Sequence, residues 1–257
     1  MSRTRNIADE IARDLRQQII NGQYEAGDRL PAERELAQTL GVHRSSVREA
    51  LKKLEQLGLV STRRGGGTTV QSFDKASLEI VGYMLWKNGR VNRAVLEQIL
   101  DVEEMLFAGV CYLAVERASE EMADEAQALM ARMSRATSVN DFIRDAALIG
   151  EVLTRASGNL VLAIFGNAML PSLMRGLKNF GPYILTNAET LQTTLSKSAS
   201  SNLYKDPRAA SEFARIVIRD LRRLIFAAID AWEADLDAQE RSKQREPTDP
   251  ESCASVS

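Results

Sequence analysis

The sequence predicts a mostly α-helical protein in two parts, and three observations carry that expectation. Apolar residues recur at helical spacing along most of the chain, β-prone residues gather only around a glycine run near residue 65, and the charge changes sign beyond about residue 75. Residues 1–75 hold 13 Lys/Arg against 10 Asp/Glu, and the remainder holds 20 against 25.

The elements follow in order. Ile7, Ala8, Ile11, Ala12, Leu15 and Ile19 form one stripe of an amphipathic helix over residues 6–21, stopped by Asn21-Gly22. Pro31, followed by Ala32-Glu33-Arg34-Glu35, places proline and acidic residues in a first turn, so a short helix is predicted over 31–40 with Gly41 beyond it. A third helix starts near His43 or Arg44, buries Val47, Ala50, Leu51 and Leu54, and stops at Gly58. Leu59–Arg63 and Thr68–Gln71 are β-prone around Arg64-Gly65-Gly66-Gly67, which predicts a hairpin.

Beyond Lys75 the strand signal disappears and about seven helices are predicted: 76–87, 91–117, 120–136, 140–156, 160–185, 188–201 and 207–241. The fifth is apolar almost all round, which predicts a helix buried at the centre of a bundle and bent near Pro171. The expected domains are residues 1–74, 75–241 and a disordered tail over 242–257, rich in Pro and Ser/Thr.

Composition narrows the chemistry. With 44% hydrophobic and 26% charged residues the chain can bury a core. No apolar run reaches the roughly 18 residues of a membrane span, and Met1 to Glu10 has no apolar signal core, so a cytoplasmic protein without membrane attachment is expected. Two cysteines and one histidine leave no legible disulfide framework, multi-histidine metal site or histidine-based triad outside the first fifty residues, and no glycine-rich phosphate loop is present. An enzyme is therefore not expected.

Val42 to Gly65 instead carries six cations against two acids, a local net of +4 on an acidic chain. That is the footprint of a polyanion-facing surface. Arg44 and Arg48 lie four apart and can donate paired hydrogen bonds to guanine edges or phosphates, while Ser45 and Ser46 are short donors suited to close approach. Two short helices joined through Leu40-Gly41-Val42, followed by a hairpin, have the spacing of a winged helix-turn-helix.

Three stretches then align with a known pattern: Gly27-Asp28-Arg29-Leu30-Pro31-Ala32-Glu33-Arg34-Glu35-Leu36-Ala37, Gly41-Val42-His43-Arg44-Ser45-Ser46-Val47-Arg48-Glu49-Ala50-Leu51, and Leu54 with Leu57-Gly58-Leu59-Val60. Residues 6–71 closely resemble the N-terminal winged helix of the GntR family of bacterial transcription regulators. The resemblance implies that Arg34, Arg44, Ser45, Ser46 and Arg48 contact DNA, that Arg64 and Gly65 sit at the wing tip in the groove, and that His43 lies near the DNA backbone. It also implies a homodimer on a palindromic operator.

An all-helical second half is similar to the FadR branch of that family, whose bundle binds a small effector. Ser157-Gly158-Asn159 resembles a recurring break between two of its helices. Many members hold a metal through one Asp and three His, but here two expected ligand positions read Ala146 and Gly150, Asp145 is one residue out of register, and no histidine follows His43. No cofactor or metal is expected. The branch implies an effector of carboxylate or acyl-CoA type, although the arginine common on the second bundle helix is Glu103 here. Polar residues on or beside apolar helix faces give the effector-site candidates: Tyr112, Asn167, Arg175, Tyr183, Arg219 and Arg223. A second reading keeps the bundle for dimerisation alone; a cavity with convergent polar groups favours sensing, and a solid core favours pairing.

Overall fold

The computed structural model describes residues 6–63, 65–166, 180–186, 188–199 and 205–245. The chain divides into two compact units, Met1–Ile99 with Leu160–Gly176 and Leu100–Asn159 with Leu177–Ser257. No helix among the described residues is long and apolar enough to cross a membrane.

In the first unit, helix α1 (Ile7–Ile20) opens on Asn6, whose side chain accepts from the Ala8 N–H at 3.1 Å. It buries Ala8, Ile11, Ala12, Leu15 and Ile19, the stripe expected from spacing. Helix α2 (Glu33–Leu40) ends at Gly41, where φ of +65° lets the Val42 N–H reach back to the Ala37 carbonyl at 3.0 Å. Helix α3 (Arg44–Gln56) presses Val47, Ala50, Leu51 and Leu54 into the core shared with α1.

Gly58 closes α3 at φ +73° and lies so near the chain that a Cβ there would stand 2.5 Å from the Lys75 carbonyl oxygen. Strands β1 (Val60–Arg63) and β2 (Gly67–Val70) pair antiparallel from Val60↔Val70 to Arg63↔Gly67. The segment ahead of α2 joins their edge: Leu30 N–H donates to the Thr68 carbonyl and Val70 N–H to that of Asp28, both at 2.9 Å.

Two expectations are corrected here. Residues 76–87 do not form one helix: a 3-10 turn (Leu78–Ile80) leads into the single turn of α4 (Val81–Met84), and strands β3 (Trp86–Lys87) and β4 (Arg90–Val91) follow as a second hairpin. The cause is Asn88-Gly89, with φ of +51° and +75°, a pair suited to the tight turn that reverses a chain in two residues. The apolar stretch beginning at Leu160 is helical over 160–166, but it is not central, since Leu160 is 75% exposed and Val161, Ile164 and Phe165 are exposed as well. Gly158, at φ +60°, ends the preceding helix. Pro171, where the bend was expected, lies outside the described residues.

The second unit is helical throughout its described residues. Helix α5 (Arg93–Arg117) spans the boundary between the units, and α6 (Glu120–Met133), α7 (Val139–Ala156), α8 (Gly181–Thr186), α9 (Glu189–Ala199) and α10 (Pro207–Arg245) follow. The last helix runs past Arg241, where the sequence reading ended it; residues 246–257 lie outside the described residues. Ser119 and Ser138 cap α6 and α7 through their hydroxyls, as the serine preference at helix starts dictates. Phe180, Leu191, Leu195, Ile225 and Ile229 are among the fully buried side chains.

Candidate nucleic-acid interface

The solvent face of α3 and the wing form one candidate surface. Because α3 uses every third or fourth residue for its core, Arg44, Ser45, Arg48, Glu49 and Lys52 are left facing water, with Ser46 half-buried at the edge. His43 precedes the helix in extended conformation and its side chain makes no capping hydrogen bond, so the first N–H groups of α3 are uncapped by it. Arg34 is exposed on α2.

The cations of this surface fall into two kinds. Arg34, Arg44 and Lys52 are exposed and carry no ion pair among the described residues. Arg48 is committed: its Nη2 stands 2.8 Å from the Glu33 carboxylate and its Nε 3.2 Å from both oxygens, a fork that ties α3 to α2. The hydrogen bond from Arg48 holds the Glu33 carboxyl below its ordinary range and raises the guanidinium in turn. Lys53 is drawn away toward α1, 2.5 Å from Asp9 and 3.2 Å from Glu49.

The wing is held to the same helix. Glu55, near the end of α3, accepts the Thr62 N–H at 2.8 Å, and the Thr62 and Thr68 hydroxyls meet at 3.1 Å across the strands. Gly65 turns at φ +75° at the exposed tip. Arg64 lies outside the described residues. Sequence reasoning missed Glu33 and Glu55, because the partners of an exposed carboxylate 7 or 15 residues away leave no periodic signal.

In the second unit a cavity of about 60 Å³ opens between α5, α6, α7, α9 and α10. Phe107, Cys111, Met133, Leu153, Leu195 and Phe213 are among its lining, which is apolar throughout. Burial pushes the Cys111 thiol up to about 12. None of the described polar candidates is among this lining. Tyr112 is half-buried beside it in sequence, Tyr183 donates to Asp235 at 2.6 Å, Arg219 is exposed, and Arg223 is exposed and 3.4 Å from Asp220. Asn167 and Arg175 lie outside the described residues.

Among the described residues no three His, Cys, Asp or Glu side chains gather to hold a metal ion. Asp145, 1% exposed, is instead bound by arginine: Arg132 donates through Nη2 at 2.7 Å and Nε at 2.8 Å, and Arg144 adds a contact at 3.2 Å. The sequence had flagged this aspartate only as out of register.

Three helices and a glycine-tipped hairpin with this exposed basic face define a winged helix-turn-helix, a class of DNA-binding domain. Residues 7–70 match the family described as bacterial regulatory proteins, gntR family, a match that takes in this domain and not the rest of the chain. Among its relatives, the HTH-type transcriptional regulator Mce2R of Mycobacterium tuberculosis is 38% identical over 121 residues, 47% of this chain and 50% of that protein. LutR of Bacillus subtilis, also an HTH-type transcriptional regulator, is 36% identical over 104 residues, 40% of this chain and 45% of its own length. The chain thus spans half or less of the length of these two relatives. Among solved structures, that of Lar, described as controlling expression of the Listeria monocytogenes agr system, superposes with a TM-score of 0.53 at 17% identity, over 88% of this chain and 98% of that one.

Proposed function

We propose that the protein is a homodimeric, ligand-responsive transcription regulator of the FadR branch, acting in the cytoplasm on a palindromic operator. The observation that carries the reading is the exposed basic face of α3 beside a wing held to it by Glu55. In this reading Arg44, Ser45 and Ser46 enter the major groove, Arg34 and His43 meet the phosphate backbone, Arg48 acts at the edge of the same surface, and Arg64 and Gly65 follow the neighbouring groove. Two copies related by a two-fold axis place two such surfaces on successive grooves. An effector held by the bundle shifts the population between DNA-competent and incompetent arrangements. A preference of about 1 to 3 kcal/mol for one arrangement changes operator affinity 5- to 150-fold.

The test is selection of bound duplexes from a random pool, with and without a cell metabolite extract. Enrichment of a palindrome whose retention changes with the extract supports the whole reading. Absence of any enriched sequence overturns it, and enrichment that ignores the extract leaves the bundle as a dimerisation domain.

A further inference from the structure

Helix α5 keeps one side open that its sequence reads as covered. Met105 to Val115 are eleven successive residues without a charge, the composition of a helix enclosed on every side. Leu100, Ala108, Val110, Cys111 and Ala114 are buried. The opposite row is Val102, Met105, Gly109, Tyr112 and Glu116, spaced alternately by three and four residues, the period along which one helix can follow another. Met105 is 62% exposed, Val102 and Gly109 are exposed as well, and Tyr112 is half-buried. A Cβ built on Gly109 meets nothing within 4 Å, so a second helix can approach the backbone there more closely than a side chain would allow.

The charges beside this row point to what covers it. On α10, Arg215, Arg219 and Arg222 share one face at spacings of four and three. Arg215 reaches Glu104 at 3.5 Å and Arg222 reaches Asp101 at 2.5 Å, which sets that face along the first half of α5. Arg219, between them, is exposed and carries no ion pair among the described residues. Glu116 ends the open row on the far side of Gly109, exposed, with its chain neighbour Arg117 at 3.6 Å. From Glu104 to Glu116 is about 18 Å of helix, too far for Arg219 to reach within one chain. A second copy removes that distance. When two α5 rows cross antiparallel about a two-fold axis at Gly109, Val102 of each copy faces Glu116 of the other, since both stand seven residues from the glycine. Arg219 of each copy then stands beside Glu116 of the other, and the ion pair forms twice.

We propose that the open row of α5 is the face on which two copies of this chain pair, with Gly109 on the two-fold axis and Arg219 of each copy on Glu116 of the other. The proposal rests on the homodimer reading above and gives that dimer its interface.

Sedimentation velocity on a dilution series of the full-length chain tests it, with Met105→Glu, Arg219→Glu, Glu116→Arg and the double variant Arg219→Glu with Glu116→Arg. The unsubstituted chain is expected to be a dimer. Met105→Glu is expected to stay monomeric at the same concentrations, because pairing would bury two carboxylates in the seam. Each single reversal is expected to weaken pairing at least about tenfold, since it turns two attractions into two repulsions, and the double variant to recover to within about threefold. A dimer that Met105→Glu or the single reversals leave unchanged, or a double variant that recovers nothing, overturns the proposal while the homodimer reading stands. An unsubstituted chain that stays monomeric overturns both and leaves the row to another segment of the same chain or to a different partner. Arg219 and Glu116 are exposed, so the comparison of single and double reversals stands whether or not Met105→Glu folds.

Discussion

Arg48 on α3 forks onto the Glu33 carboxylate on α2, through Nη2 at 2.8 Å and Nε at 3.2 Å, at the edge of the surface proposed to meet DNA. An exposed pair of this kind is weak in stability terms, but it sets the charge that the recognition helix presents. While it holds, Arg48 brings no net charge to a phosphate. Glu33→Gln frees the guanidinium and adds one phosphate contact, which steepens the slope of log K against log salt on non-specific duplex by about 0.9. A slope equal to the unsubstituted protein's shows that Arg48 already leaves Glu33 on binding.

Arg44 presents the opposite case, exposed and without an ion pair among the described residues. A side chain so placed is available to a base edge, and losing a paired contact there costs about 1 to 3 kcal/mol, or 5- to 150-fold in affinity. Arg44→Ala is expected to weaken the selected operator by that factor and random duplex far less. Arg48→Ala is expected to weaken both alike, because it strips Glu33 of its counter-ion. Fluorescence anisotropy at fixed salt measures both, and equal losses on the two duplexes for Arg44→Ala would refute base reading.

The two glycines that close α2 and α3 separate conformational from steric cost. Gly41 and Gly58 both need positive φ, but a Cβ at Gly41 meets nothing within 4 Å, whereas at Gly58 it meets the Lys75 carbonyl oxygen at 2.5 Å. Gly41→Ala should cost only the left-handed penalty of about 1 to 2 kcal/mol. Gly58→Ala should cost clearly more, since a backbone carbonyl cannot step aside like a flexible side chain. Urea denaturation of the two variants decides the matter, and equal midpoints would mean that the chain after the wing yields freely at Lys75.

Those glycines also explain why the winged domain could be read from sequence. Each of its turns is marked by a residue that the backbone requires, and each helix by an apolar stripe whose period matches the core it fills. Asn88-Gly89 carried an equally specific signal for the second hairpin, but the apolar residues Ile80 to Trp86 also suit a helix, and their pattern obscured it. In the bundle, the search for polar groups pointed away from a cavity walled by Phe107, Met133 and Phe213. Neither the pairing of Asp145 with Arg132 nor that of Glu33 with Arg48 has a local cause, because each joins two helices whose relative placement is set by packing elsewhere.

Asp145 gives a prediction in pH. Its hydrogen bonds from Arg132, with Arg144 beside it, hold the carboxyl below the ordinary range despite its burial. A depressed folded value means that the pair stabilises fully above the unfolded value near pH 4 and that its contribution fades as pH falls through the folded value. Asp145→Asn is expected to lose about 1 to 3 kcal/mol at neutral pH, the cost of a broken charge-assisted network. Thermal melts should show a constant gap to the unsubstituted chain between pH 8 and 5, narrowing below about pH 4. A gap that stays constant in acid would assign the loss to packing instead.

Cys111 gives the complementary prediction in alkali and reports on the cavity at the same time. Its thiol is buried at the cavity that Phe107 also lines, and desolvation holds it up to about 12, against 9.0 for an ordinary thiol. A raised acid favours the fold while the unfolded thiol is still protonated, so this stabilisation is complete below pH 9 and is lost as pH rises from there toward 12. Only the thiolate alkylates, so at pH 8.5 the folded site should react with iodoacetamide about a thousandfold more slowly than a free cysteine. Peptide mass spectrometry of Cys111 after timed alkylation reads that rate directly, and denaturant should restore it. Rapid labelling of the folded protein would mean that the cavity admits water and reagent as readily as the surface does, and that the bundle holds no dry apolar site at Cys111.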